Sequence, residues 1–83
     1  MIKVIKFFAE WCGPCKILEF KLEPIRRNHR DVEWVEIDID QNKELVKHYG
    51  IMSIPTVIIF KDDEEIARLV GLVSDKEITK HLS

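Results

Sequence analysis

Residues 7–16 read Phe-Phe-Ala-Glu-Trp-Cys-Gly-Pro-Cys-Lys, and the position of this segment in the chain decides the fold. It overlaps the end of an apolar run, residues 2–8, in which β-branched and aromatic side chains predominate, as in a buried strand. Pro14 suits the first turn of a helix, because its missing N–H would have no partner there. Cys12 and Cys15 are therefore expected where a strand meets a helix.

A cysteine at a helix N-terminus becomes more reactive, because unpaired N–H groups and the helix dipole favour the thiolate. Thiolate is the nucleophile of thiol–disulfide exchange. We therefore expect Cys12 to attack a disulfide and Cys15, one helical turn later, to resolve the mixed disulfide. Gly13 allows a tight turn, and Pro14 stiffens the ring that the two cysteines close. This chemistry requires no bound cofactor.

Other uses of the cysteine pair are disfavoured. A disulfide across so short a loop constrains the unfolded chain very little, which argues against a purely structural role. A zinc site needs four ligands, and only the three histidines could complete it. His29, His48 and His81 are each expected near a helix C-terminus, where a cationic side chain complements the dipole. No metal is therefore expected, and the same dispersal disfavours a cysteine–histidine acyl-transfer site.

Composition limits the class of protein. Eighty-three residues, 46% hydrophobic and 34% charged, predict a single globular domain over residues 1–83. A formal charge of −2 argues against a nucleic-acid partner, which calls for a basic surface. Residues 50–60, the longest uncharged stretch, are too few to cross a membrane. With no signal segment at the start, the expected location is the cytoplasm, where paired thiols are commonly catalytic or metal-binding.

The rest of the chain divides into further strands and helices. Residues 32–39 alternate as a second strand, and a short helix follows from Asp40 or Gln41 to a left-handed cap at Gly50. Two more strands are expected at residues 56–60 and 65–70. Residues 74–77 form a capping box that should open the last helix.

Two details of these elements are also predicted. Pro24 should kink or end the first helix, because its ring clashes with the carbonyl of Phe20. The acidic residues 62–65 should form a solvated turn between the last two strands. The order β-α-β-α-β-β-α predicts an α/β domain, since a crossover helix makes the first two strands parallel and the short link makes a hairpin.

Several motifs then indicate a family. Residues 9–16 resemble the active-site segment of the thioredoxin family. Residues 54–56 are similar to the cis-proline loop of that family, and Gly71 matches the glycine after its last strand. Residues 37–42 and 49–51 are also thioredoxin-like, so the resemblance covers nearly the whole chain.

The resemblance implies a truncated thioredoxin fold, with a mixed four-stranded sheet in the order 2-1-3-4 flanked by helices. It also implies that Pro55 is cis and that Ser53 and Ile54 pair their backbone with an extended substrate strand. Trp11 would flank the nucleophile, and Gly71 would complete the substrate-binding surface.

The resemblance further implies a monomeric dithiol–disulfide oxidoreductase that reduces protein disulfides and is recharged by a thioredoxin reductase. Two alternatives stay open. A glutathione-recharged, glutaredoxin-like enzyme is favoured by the short chain, although the Gly-Pro between the cysteines favours thioredoxin. A binding subunit would instead dock a larger enzyme through an apolar patch of Trp11, Ile54 and Gly71.

The sequence departs from the family pattern in four places. No counterpart of the amino-terminal strand and helix of ordinary thioredoxins is expected. Phe20 occupies the usual position of the helix proline, and Pro24 comes one turn later. The last hairpin has Asp62 and Asp63 where a glycine is usual.

The fourth departure is an exchange of charges. The family's buried aspartate aligns with Lys6, and its lysine partner on the neighbouring strand aligns with Glu36. An unpaired ammonium on a buried strand face would be unfavourable, so we expect Lys6 and Glu36 to pair near Cys15. In this hypothesis Glu36 takes the proton that Cys15 releases. The alternative is that Lys6 extends to the surface and Glu36 is solvated.

Overall fold

The computed structural model describes residues 1–82 and confirms the predicted order of elements. The strands are β1 (Ile2–Phe8), β2 (Glu33–Asp38), β3 (Thr56–Lys61) and β4 (Glu64–Val70). The helices are α1 (Gly13–Asn28), α2 (Lys43–Tyr49) and α3 (Asp75–Thr79). The sheet has the order β2-β1-β3-β4, with β1 and β2 parallel and the other pairs antiparallel, as expected.

Strand β1 lies inside the sheet and separates two apolar clusters. Val4 packs with Leu18 and Leu22 of α1 on one face. Ile5 and Phe7 form the core of the other face, where α2 contributes an aromatic contact. Because side chains alternate along a strand, Lys6 points to the same face as Val4, toward α1. The strand therefore delivers a charged side chain beneath the helix that begins at the cysteines.

The ends of the helices follow the predicted caps. Cys12 is the N-cap of α1, and Gly50 ends α2 in the left-handed conformation with φ 66°. Ser74 caps α3, its hydroxyl oxygen accepting a hydrogen bond from the N–H of Glu77 at 3.2 Å. These caps satisfy backbone groups that a helix terminus otherwise leaves unpaired.

Two helix boundaries differ from the sequence expectations. Helix α1 does not end at Pro24 but continues to Asn28. Leu22 and Ile25, on either side of the proline, are buried, and this packing holds the helix across the lost backbone bond.

Helix α2 begins at Lys43 rather than at Asp40 or Gln41. Asp38 accounts for the difference, because its carboxylate accepts from the N–H of Asp40 and its carbonyl accepts from the N–H of Gln41. A side chain that bonds the backbone two residues later stabilises a turn in competition with a helix.

The hairpin between β3 and β4 has the expected acidic turn. Asp62 and Asp63 adopt φ values of 52° and 70°, so two aspartates take the left-handed conformations that a two-residue hairpin demands. The amino-terminal ammonium of Met1 donates to Asp62 Oδ1 at 2.7 Å. Within residues 1–82, no helix is long and apolar enough to cross a membrane.

Candidate active site

The two cysteines form a disulfide at the start of α1, with Cα atoms 5.3 Å apart. Both residues are buried, and they cluster with Ala9 at the end of β1. Cys12 holds the N-cap position, where its Sγ accepts a hydrogen bond from the N–H of Cys15 at 3.2 Å. The backbone thus directs an N–H at the first sulfur, an arrangement that favours negative charge there.

A loop before β3 covers the cysteine cluster. The peptide bond between Ile54 and Pro55 is cis, as the resemblance implied. Ile54 packs against the cysteines, and the carbonyl of Pro55 accepts a hydrogen bond from the N–H of Gly71 at 2.8 Å. Thr56 Oγ1 donates to the carbonyl of Ser53 at 2.7 Å and braces the same loop. The structure therefore brings the loop and Gly71 together beside the disulfide.

Trp11 is exposed beside the cysteines, with 68% of its surface open to solvent. Its indole Nε1 donates to Asp40 Oδ2 at 2.8 Å, which fixes the ring against the loop after β2. The turn at Asp38 places Asp40 for this contact. The sequence predicted the exposed tryptophan but not its partner, because the contact joins two loops 29 residues apart.

Four charged side chains close a ring beneath the helix. Lys6 Nζ contacts Glu19 of α1 and lies 3.6 Å from Glu36 Oε1 of β2. Arg26 of α1 contacts the other oxygen of Glu19 and lies 3.2 Å from Glu36 Oε2. Lys6 Nζ also lies 5.2 Å from the centre of the Phe8 ring. Each carboxylate thus bridges two cations, and we refer to these four charged residues as the ion ring.

An open groove connects the ion ring with the redox pair. Its volume is about 630 Å³, and its lining includes Cys15, Lys6, Glu19, Glu36 and Lys16. Cys15 therefore borders a groove that water can enter. No cluster of three or more histidine, cysteine, aspartate or glutamate side chains within residues 1–82 could hold a metal ion.

Comparison with known proteins decides the family. The thioredoxin family model matches residues 1–83. The chain belongs to the thioredoxin family. It is 46% identical to a thioredoxin of Chlamydia pneumoniae over 79 residues, which are 95% of this chain and 76% of that protein. It is 42% identical to a thioredoxin of Chlamydia trachomatis over 96% of this chain and 78% of that one.

Solved thioredoxin structures agree with this fold. The chain superposes on the X-ray structure of Fasciola hepatica thioredoxin with a TM-score of 0.87 and 36% identity, covering 96% of this chain and 80% of that one. The crystal structure of a thioredoxin from Nicotiana alata superposes with a TM-score of 0.89 and 34% identity, covering 99% of this chain and 74% of that one. The protein is a thiol–disulfide oxidoreductase that reduces protein disulfides through the Cys12–Cys15 couple.

The charged cluster at Lys6 involves more residues than the sequence predicted. Lys6 and Glu36 do pair, but Glu19 is the closer partner of Lys6. Burial alone would raise the pKa of Glu19. The hydrogen bond and charge of Lys6, followed by those of Arg26, outweigh burial and hold this pKa below its ordinary value. Glu19 therefore stays a carboxylate under the buried ammonium.

A signal for the missed residues was present in the helix spacing. Glu19 follows Cys15 by four positions, and Arg26 follows Glu19 by seven, so all three lie along one side of α1. The same side faces β1 at Lys6. The residues on this side of α1 are possible ion-pair partners for the strand opposite, and a search among them would have identified both Glu19 and Arg26.

Proposed function

We propose that Cys12 is the attacking thiolate and Cys15 the resolving thiol of this oxidoreductase. The observation that carries the assignment is the N-cap position of Cys12 on the 16-residue helix α1. A long helix places partial positive charge at its first residues, and the N–H of Cys15 already bonds the Cys12 sulfur. Cys15, inside the first turn, lies at the position from which a mixed disulfide can be resolved.

The reaction proceeds in two exchanges. The Cys12 thiolate attacks one sulfur of the substrate disulfide, a Cys12–substrate disulfide forms, and the other substrate sulfur leaves as a thiolate that takes a proton from water. The Cys15 thiol then loses its proton and attacks the Cys12 sulfur. The Cys12–Cys15 disulfide forms, and the second substrate sulfur leaves. Two electrons pass to the substrate, and an external dithiol donor must return them.

The substrate-binding surface comprises the cis-proline loop and its neighbours. Ile54 packs against the cysteine cluster, and the hydrogen bond from the Gly71 N–H to the Pro55 carbonyl braces the loop. The backbone of Ser53 and Ile54 would pair with the substrate. Trp11 offers an exposed apolar face on the other side of the site. An extended substrate strand between these surfaces would bring its disulfide to Cys12.

Lys6 and Glu36 assist the second exchange. Both line the groove that reaches Cys15, and Glu36 is the partly exposed member of the pair, with 43% of its side chain open to solvent. Glu36 can therefore take the Cys15 proton and pass it to water. Lys6→Met and Glu36→Gln variants should each shift the pH–rate profile of the resolving step. Unchanged profiles in both would overturn this role.

The electron donor is a thioredoxin reductase, and the protein works as a monomer in the cytoplasm, where reducing conditions keep its thiols available. Membership of the thioredoxin family supports this donor. The test compares recharging of the oxidised protein by an NADPH-dependent thioredoxin reductase and by glutathione, with insulin as the disulfide substrate. Preference for glutathione would make the protein glutaredoxin-like. Insulin reduction retained by Cys12→Ser would overturn the proposed mechanism itself.

A further inference from the structure

Helix α1 has a second apolar stripe on its solvent side. Ile17, Phe20 and Pro24 are spaced i, i+3 and i+7, so they follow one another along one face. Phe20 is 82% exposed and Ile17 is 52% exposed, and Pro24 is exposed as well. We call these three residues the α1 stripe.

The α1 stripe is not explained by folding. The core-facing side of α1 is supplied by Leu18, Leu22 and Ile25, all of which are buried. Phe20 instead borders a shallow hollow of about 250 Å³ whose other walls are charged side chains of the same helix. Isolated exposed apolar residues are common, whereas apolar side chains that lie side by side on one helix face can together form a contact surface.

The α1 stripe is continuous with the redox site on both of its edges. On one edge, the hollow beside Phe20 shares Lys16 and Glu19 with the groove that reaches Cys15. On the other edge, Lys21 Nζ donates to the carbonyl of Val73 at 3.4 Å. That bond joins α1 to the segment after Gly71. Leu72 in the same segment is an exposed apolar residue, with 47% of its surface open to solvent.

We propose that the α1 stripe docks the polypeptide that flanks the disulfide of a protein substrate, with Phe20 as the principal contact. This inference rests on the proposed function and adds a specificity determinant to it. Phe20 follows Cys12 by eight positions, which is about 12 Å along a helix axis. An extended chain advances roughly 3.3 Å per residue. The stripe therefore favours substrates with an apolar side chain about four residues from the reacting cysteine.

The position of the stripe favours a substrate over other occupants. Its edges meet the groove at Cys15 and the segment after Gly71, so a chain already bound at Cys12 can extend onto it. Such a contact adds affinity only for substrates long enough to reach Phe20. A small disulfide reacts at Cys12 without it, and this difference provides the test.

The experiment measures kcat/KM of Phe20→Ala with insulin and with the small disulfide 5,5′-dithiobis(2-nitrobenzoate). When an exposed aromatic side chain becomes buried in a complex, its truncation to alanine typically lowers the affinity of that complex by about tenfold. We expect the insulin-to-small-disulfide ratio to fall by about that factor. Ile66→Ala, which removes a 41%-exposed apolar side chain from β4, is the matched control and should leave both rates unchanged.

A peptide series tests the expected spacing. Peptides that carry a mixed disulfide and either leucine or serine four residues from the cysteine should react at different rates with the unaltered protein. That preference should disappear in Phe20→Ala. An unchanged insulin ratio, or a leucine preference that survives in Phe20→Ala, would overturn the proposal.

Other outcomes identify other occupants and equally overturn the substrate assignment. An effect of Phe20→Ala confined to recharging by thioredoxin reductase would assign the stripe to the reductase. A dimer in sedimentation that Phe20→Ala dissociates would assign it to a second copy of the chain. Failure of the proposed function has a separate signature, because it would appear as undiminished reduction of both disulfides by Cys12→Ser, whatever the Phe20 ratio.

Discussion

Lys6 and Glu36 lie opposite each other across the parallel strands β1 and β2, with Nζ 3.6 Å from Oε1. The side chain of Lys6 is only 5% exposed, so its charge depends on these partners. Glu19 and Arg26 complete the ion ring from α1. The ring thereby joins the helix that carries the cysteines to two strands of the sheet, next to the groove at Cys15.

Glu19→Gln should destabilise the oxidised protein, because it removes the negative charge beside the buried Lys6 and leaves Glu36, at the longer distance, as the carboxylate that pairs with it. We expect a loss of about 1–2 kcal/mol in the free energy of unfolding at pH 7, less than for a fully buried pair because Glu19 is partly exposed. Urea titrations measure it. Glu23→Gln is the matched control, since Glu23 is exposed on the same helix outside the ion ring.

The same variant should show a defined pH dependence. The pKa of Glu19 is lowered in the folded protein from an ordinary value of 4.5. Its contribution is therefore fully present above pH 4.5 and is lost as the pH falls through the lower folded value. The difference in free energy of unfolding between the unaltered protein and Glu19→Gln, here called the stability gap, should therefore become smaller in acid. A gap that stays constant from neutral pH to below that range would contradict the account of the ion ring.

Asp63→Gly should stabilise the protein. Asp63 has φ 70°, a conformation that glycine adopts without a steric penalty. We expect the free energy of unfolding to rise by about 0.5–1 kcal/mol. Asp62→Gly is the comparison, because Asp62 also has positive φ but bonds the amino terminus at 2.7 Å. The gain should be smaller there, and an equal or larger gain would show that this bond contributes nothing.

Asp40→Ala should slow the reduction of insulin. The change removes the acceptor that holds the Trp11 indole at 2.8 Å, so the exposed ring loses its fixed position beside the cysteines. We expect kcat/KM to fall by roughly threefold to tenfold, as for the loss of one hydrogen bond that orders a contact residue. Asp40→Asn keeps an oxygen acceptor and should retain most of the activity. Equal losses in both variants would point to charge rather than to placement of the ring.

The arrangement of the backbone could be predicted from local features. The apolar run of residues 2–8, the alternation of residues 32–39, the glycine cap at Gly50 and the serine cap at Ser74 are all short-range signals. The cysteine pair could likewise be placed, because Pro14 marks the helix start directly after a strand. These signals act within a few residues, so one sequence is enough to read them.

The remaining features depend on tertiary contacts. The continuation of α1 past Pro24 rests on packing of Leu22 and Ile25, which local propensity does not describe. Lys6 and Glu19 are 13 residues apart and lie on a strand and a helix. Only neighbouring strands were compared in the sequence, so Glu36 was identified and Glu19 was missed. Family resemblance indicated the strand pair of Lys6 and Glu36, but it gave no indication of their partners on α1.

The central claim is that Cys12 makes the covalent bond to the substrate and Cys15 releases it. Cys15→Ser removes the resolving thiol, so the mixed disulfide formed by Cys12 should accumulate when the reduced variant is mixed with insulin. The measurement is mass spectrometry of the adduct and of the cysteine that carries it. The account predicts an adduct on Cys12 that dithiothreitol releases and that Cys12→Ser does not form. An adduct trapped in Cys12→Ser, with none in Cys15→Ser, would contradict it.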